Sequence, residues 1–230
     1  NPVPTIVYGT QEWTVENACY TTYRDGTPIP QVTDYTEWEN LTTGAWTYYA
    51  NSNNKLYNYY AAAGIHSSAS ILDPTLRKQF APEGWHVPSN LEWRILEEFL
   101  IINGHTYDGT TNLPPDLYTG YWTNNKLAKA LASTSGWGSS TYTGTPGNDQ
   151  GSNNSSGFNV IPIGNYIPPI FNLNSQGNIT GFWTSTNYPN EDGNPFDDAW
   201  YMELWRDSEN FREDATRSES FKSIRLVKDN

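Results

Sequence analysis

The residues of this 230-residue chain with types suited to chemistry are three histidines, an acidic loop, two adjacent glutamates and one cysteine. His66, His86 and His105 have no i,i+4 spacing and no HExxH pattern, so they carry no zinc signature. His86 lies in GWHVP just ahead of a helix start, where a hydrogen-bonded scaffold role outweighs a catalytic one. In the acidic loop NEDGNPFDD, Asp192, Asn194, Asp197 and Asp198 offer hard oxygen ligands of the kind Ca²⁺ takes. Their spacing matches no EF-hand, a solvated turn is the stronger reading, and no cofactor is expected. Glu97 and Glu98 show no glycosidase-like arrangement and read as surface charge on a helix. Cys19 is alone, so no internal disulfide or thiolate cluster can form, and the expected role is a small buried hydrophobe. No GxSxG, P-loop or dinucleotide fingerprint is present.

What remains is recognition chemistry. The segment WRDSENFREDATRSES, 205–220, sets an aromatic, arginines, carboxylates and amides between two strand-like stretches. Flat apolar surface and charge-assisted hydrogen bonds together are the usual material of binding hot spots. The opposing reading, equally weighted, makes Trp205 and Phe211 sheet packing and the charges solubilising.

The elements that must position this segment follow from periodicity. A helix is expected from Ser89 to Asn103: Ser89 as N-cap, Glu92 three residues on, and Gly104 as terminator. Trp93, Leu96 and Leu100 form its apolar stripe, widened by Ile95, Phe99 and Ile102. Shorter helices are expected after Asp34 and over 125–132. From Phe158 onward the pattern turns to strands: FNVIPI, ITGFWTST, AWYMELW, NFRED and FKSIRLV. In AWYMELW, Trp200, Met202 and Leu204 share one face and Tyr201, Glu203 and Trp205 the other, as in half-buried antiparallel strands. Between them, 133–157 is a long polar loop, uncommon in a compact domain unless functional or mobile. Helices gathered in the first half and strands in the second give an α+β class.

Composition narrows the partners. The net charge is −12 with only 13 basic residues, which argues against nucleic acid and against anionic lipid. No apolar run approaches the ~18–20 residues of a membrane span. Ten tryptophans, an aromatic fraction of 15% and a surface rich in Asn, Thr, Ser and Gly suggest an extracellular or virion protein with a substantial core. The chain begins with Asn1 and carries no signal-peptide pattern, as expected after processing or within a longer polypeptide.

Eight pieces in order carry a family resemblance: WTVEN at 13–17, YRDGTPIP, TEWENLTTGAW, LYNYYAA, PEGWHVPSNLEW, NSSGF, GFWTST with AWYMEL, and the closing SIRLVKD. The chain resembles the Fibrobacter succinogenes major paralogous domain over about 13–229, a family abundant in secreted and surface proteins of Bacteroidetes and their phages. The family is similar to the C-type-lectin-like fold, to formylglycine-generating, sulfatase-modifying-type domains and to retroelement-diversified variable proteins. That resemblance implies one domain over 1–230, with two helices, antiparallel sheets and long loops. Insertions are expected at about 64–80, 103–121 and 139–152. Family members often carry Cys where Ala81 and Leu226 stand here, and the two cysteines of the formylglycine-generating enzymes cannot be supplied by one. The EPN or QPD and WND motifs of calcium-dependent lectins are also missing.

The presenting surface implied by the resemblance comprises Tyr188, Asn190, Trp205, Arg206, Asp207, Glu209, Asn210, Phe211 and Arg212. The expectation is a non-enzymatic extracellular module that binds a cell-surface glycan or protein, as in a phage tail fibre, a receptor-binding protein or a bacterial adhesin. The alternative is a structural or decoration subunit of a virion or appendage, its aromatic loops contacting sister subunits. Neither reading involves nucleic acid or insertion into a membrane.

Overall fold

The computed structural model describes residues 3–49, 53–120, 122–167, 175–188 and 198–229, and its class is α+β. A hairpin of β1 (Thr5–Tyr8) and β2 (Gln11–Thr14) opens the chain, turning on Gly9 at positive φ. Single-turn helices α1 (Tyr35–Trp38), α2 (Tyr59–Ala62) and α3 (Ser68–Leu72) flank a small ladder of β3 (Trp46–Tyr48) and β4 (Lys55–Tyr57). After the short β5 (Trp85–His86) comes α4 (Asn90–Ile102), the one long helix among the described residues, and then α5 (Ala128–Leu131). The C-terminal half carries β6 (Ile179–Asn187), β7 (Asp198–Trp205) and β8 (Arg212–Arg217) as an antiparallel sheet, and ends in β9 (Val227–Lys228). The two-helix expectation therefore becomes one full helix and four single turns. FNVIPI forms no strand; only Val160 bridges to Ala132, because Pro162 has no N–H to give a ladder.

Helix α4 forms where the capping pattern places it. The Ser89 hydroxyl accepts from the Glu92 N–H at 3.3 Å while the Glu92 carboxylate accepts from the Ser89 N–H at 2.7 Å. Gly104, at φ +77°, ends it. Trp93, Leu96, Leu100 and Ile101 face the core, whereas Ile95 and Ile102 are exposed and do not widen the stripe. Glu97 corrects the surface-charge reading: it is 0% exposed. Arg94 donates to Glu97 at 3.0 Å and also to Glu213 on β8, and Asn125 donates to Glu97 at 2.9 Å. Burial raises the Glu97 carboxyl to about 7 although Arg94 pulls it down, because one guanidinium serves two carboxylates.

In the sheet β6-β7-β8, most of β6 and the middle of β7 are covered on both faces, which corrects the half-buried reading there, while β8 is half-buried. One face meets α4 through Phe182, Met202 and Leu204, in a core centred on Trp93. Trp93 lies 4.5 Å from the Trp13 ring, 5.5 Å from Phe211 and 5.8 Å from both Phe158 and Phe182. The other face meets β4, α2 and the C-terminal segment through Trp183, Ala199 and Tyr201. Ala81 and Leu226 are both buried in this second core. A third cluster gathers Trp38, Tyr49, Leu56, Tyr166 and Phe221. The segment FKSIRLV is buried throughout: Lys222 exchanges backbone bonds with Tyr57, Ser223 with Gly181 and Trp183, and Ile224 with Ala18. Since Ala18 turns inward to make that bond, Cys19 turns outward and is exposed rather than buried.

His86 ties the helix start to the chain end. Its Nε2 lies 2.6 Å from Glu92 and its Nδ1 2.6 Å from Asp229. Ionised carboxylates only accept, so both ring nitrogens donate and the ring is an imidazolium. Burial opposes that charge, but the two carboxylates outweigh it and raise the pKa above 6.5. A raised folded-state value gives stabilisation that is complete below the unfolded pKa and lost as pH rises through the folded one. In denaturant titrations, His86→Gln should therefore cost most stability near pH 5.5 and least near pH 9; an equal cost at both would contradict the imidazolium bridge. Arg94→Met should cost about 3–5 kcal/mol by leaving two buried carboxylates unpaired. Glu97→Gln, which keeps Glu213 as counter-ion, should cost a small fraction of that.

Candidate ligand-binding site

The turn joining β7 to β8 is built by backbone anchors on both sides. The Arg206 N–H donates to the Asn178 carbonyl at 2.8 Å, and its own carbonyl accepts from Gly147 at 2.8 Å. The long 133–157 loop thus braces the hairpin rather than hanging free. Within that loop the Asn153 amide donates to the carbonyls of Ser133 and Pro146, and Gln150 pairs with the backbone of Trp137. Such density of side chain to backbone bonds is how a segment with little apolar content stays ordered.

Beside the hairpin lies a cleft of about 450 Å³. Trp205 is 37% exposed at its rim, and its indole N–H donates to the Glu203 carboxylate at 2.6 Å, which fixes the ring plane. Arg206 and Asp207 complete the rim, 3.9 Å apart and both partly exposed. Ile167 and Ile179 supply apolar wall, and Asn165, Tyr201 and Glu203 form the inner end. Burial raises the Glu203 carboxyl, opposed by the Trp205 indole and by Lys222 behind it. Burial and the neighbouring carboxylates together push the Tyr201 hydroxyl far above its ordinary range, so it remains a neutral donor to Glu203.

The nine residues expected to form one surface are distributed over several places. Trp205, Arg206 and Asp207 share this cleft. Tyr188 sits at the opposite end of the sheet against Trp200, with ring centroids 4.7 Å apart. Trp200 and Trp205 are five strand positions apart, roughly 17 Å along β7. Tyr188 belongs instead to a second cleft of about 540 Å³, shared with Trp122, Asp198, Trp200 and Asp214. Arg212 leans toward that side, its guanidinium 5.7 Å over the Trp122 ring. Glu209 and Asn210 hold the segment before α5: the Glu209 carbonyl accepts from Ala128, and the Asn210 side chain accepts from the Lys126 N–H. Phe211 is 0% exposed and packs on Trp93, because Asn125 brackets its backbone N–H and carbonyl and turns the ring inward. Asn190 lies outside the described residues, as do Asp192, Asn194 and Asp197 of the acidic loop.

Sequence reasoning missed Asn165, Asn178 and Trp122, which stand in polar or proline-rich stretches with no periodic signal. Glu203 had one: strand alternation puts it on the face of Tyr201 and Trp205. The larger second cleft is an open surface groove. The first ends on buried polar side chains, the feature that marks a specific site. Among the described residues, no group of three His, Cys, Asp or Glu side chains is gathered as a metal site, and no helix is long and apolar enough to cross a membrane.

No curated protein and no solved structure matches the chain. A family model does, over residues 6–228, nearly the whole sequence and every element that builds the cleft. The chain belongs to the Fibrobacter succinogenes major domain family.

Proposed function

We propose that this protein is a recognition module of C-type-lectin-like fold that binds a glycan or protein on a cell surface without transforming it. The carrying observation is the braced cleft at the β7–β8 hairpin, where Trp205, Arg206 and Asp207 surround an apolar wall and a polar inner end. An immobilised indole beside a charged pair offers stacking and charge-assisted hydrogen bonds at little entropic cost, which is what binding hot spots require. Three antiparallel sheets among the described residues, β1-β2-β9-β5, β3-β4 and β6-β7-β8, carrying long, well-bonded loops support the fold assignment. A neutral-polar, net acidic surface supports an extracellular setting on a bacterium or a virion, such as an adhesin or a phage tail fibre.

A second reading, a structural subunit that contacts sister copies, draws on different residues. Leu72 is 87% exposed, with Leu76 also exposed a turn later, and Trp122 is 67% exposed. Apolar surface of this kind marks protein contacts when it is contiguous.

Labelled protein applied to bacterial cells and to a printed glycan panel separates the two. Trp205→Ala and Arg206→Ala should each weaken attachment at least tenfold, about 1.4 kcal/mol, with folding intact. Attachment that survives both substitutions, with a blank panel, overturns the recognition reading. A concentration-dependent oligomer in light scattering, dissolved by Leu72→Ser, would favour the structural one.

A further inference from the structure

Behind Trp205 the cleft ends on polar groups that the protein itself leaves without partners. Asn165 is 4% exposed and lines the cleft, yet neither its Oδ1 nor its Nδ2 has a hydrogen-bond partner. Its backbone is pinned: the Asn165 N–H donates to the Ser175 hydroxyl at 3.2 Å, and that hydroxyl donates to the Asn165 carbonyl at 3.2 Å. The amide is therefore held in place, not swung away from a lost contact. Beside it Lys222 is 0% exposed, its Nζ without a hydrogen-bond partner and 3.6 Å from the Tyr201 ring centroid.

Both side chains converge over Gly181. A Cβ at that position would lie 3.1 Å from either polar atom of the Asn165 amide and 3.2 Å from the Lys222 stem. Gly181 is paired with Glu203 across β6 and β7, so the missing side chain gives the Asn165 amide and the Lys222 stem room on the sheet face that carries Glu203, Tyr201 and Trp205. Burying the Asn165 amide without a partner costs desolvation that nothing in the fold returns, whereas the Lys222 amine is held by the Tyr201 ring and the charges of Glu203 and Asp214. An unpartnered amide next to a cleft is satisfied by what enters it.

We propose that the inner end of this cleft is a subsite for one neutral pyranose ring, the terminal unit of a glycan. The proposal rests on the recognition reading above and deepens it. The walls select neutrality: an anion would face Glu203 and Asp207, and a cation would face Arg206, with Lys222 buried behind the wall. Hydroxyl groups both donate and accept, which suits an inner end that alternates amide N–H₂, amide oxygen and carboxylate. The Trp205 indole and Ile179 supply an apolar surface for the C–H face of a sugar ring. The volume of about 450 Å³ lies within the ~300–1,000 Å³ of small-molecule sites and leaves room for a second ring toward Arg206.

The test is titration of the intact chain with glucose, galactose, mannose, fucose and N-acetylglucosamine, followed on the Trp205 indole N–H resonance, which Trp205→Phe identifies. At least one sugar should shift that resonance saturably, and Asn165→Leu and Lys222→Met should each weaken its binding tenfold or more. Asn165→Leu should keep or raise the melting temperature, since it removes an unsatisfied buried group, whereas Lys222→Met should lower it by taking the counter-charge from Glu203. The same free sugar should compete with cell attachment if the source is a surface glycan; shifts without competition would assign the subsite to a free saccharide. Absence of any saturable shift, or equal binding by both variants, overturns the subsite. Attachment lost in Trp205→Ala but unchanged by Asn165→Leu and by every sugar would sink the subsite and leave the recognition reading standing. Attachment indifferent to all of them would remove both.

Discussion

The fold hangs on one guanidinium. Arg225 is buried in the middle of the C-terminal segment and donates to the Asn17 side chain and to the carbonyls of Thr14, Phe158 and Asn159. Its plane lies 4.9 Å from the Phe158 ring and 5.7 Å from Phe182. None of its four acceptors is a carboxylate, so the charge is solvated by amide dipoles. Burial pushes its pKa down to about 9, still above neutrality. A fork of fixed donors can satisfy several carbonyls at once in a way no lysine could. Through it the N-terminal hairpin, the turn at 158–159 and the central sheet are brought to one point.

From that point the rest of the architecture follows. Once Ser223, Ile224 and Leu226 lie between β6 and the chain after β2, most of β6 and the middle of β7 have a second cover, and both faces there become interior. The ends of β7 and the edge strand β8 stay partly open. The two clefts sit at opposite ends of β7, where the covering layers stop. Beside the first, Gly181 has no side chain, and the Asn165 amide and the Lys222 stem pack in its place.

The sequence was legible where one local rule governs a residue. Ser89, Glu92 and Gly104 set the limits of α4 through capping alone, and alternation placed Tyr201, Glu203 and Trp205 on one face of β7. It was illegible where a distant segment decides. Glu97 looks like solvated helix charge until Asn125 and Glu213 arrive from two distant parts of the chain and meet Glu97 and its helix neighbour Arg94. Phe211 looks like a loop aromatic until the Asn125 amide fixes its backbone. The candidate surface split for the same reason: hairpin residues close in sequence are sent to different places by strand alternation and by their separate backbone anchors. The family resemblance ordered the pieces correctly, but which loop side chains meet depends on bonds made across the whole chain.

The pairing of Trp13 with Val227, separated by nearly the full length of the polypeptide, has a consequence for time rather than for stability. Contacts between such distant residues must await loop closure, and folds rich in them form slowly. During synthesis the Trp13–Trp93 core lacks its β9 neighbour and its Arg225 anchor until residues 225–228 have been made. The cover that Val227 gives the core around Trp13 and Trp93 is therefore the last to be added.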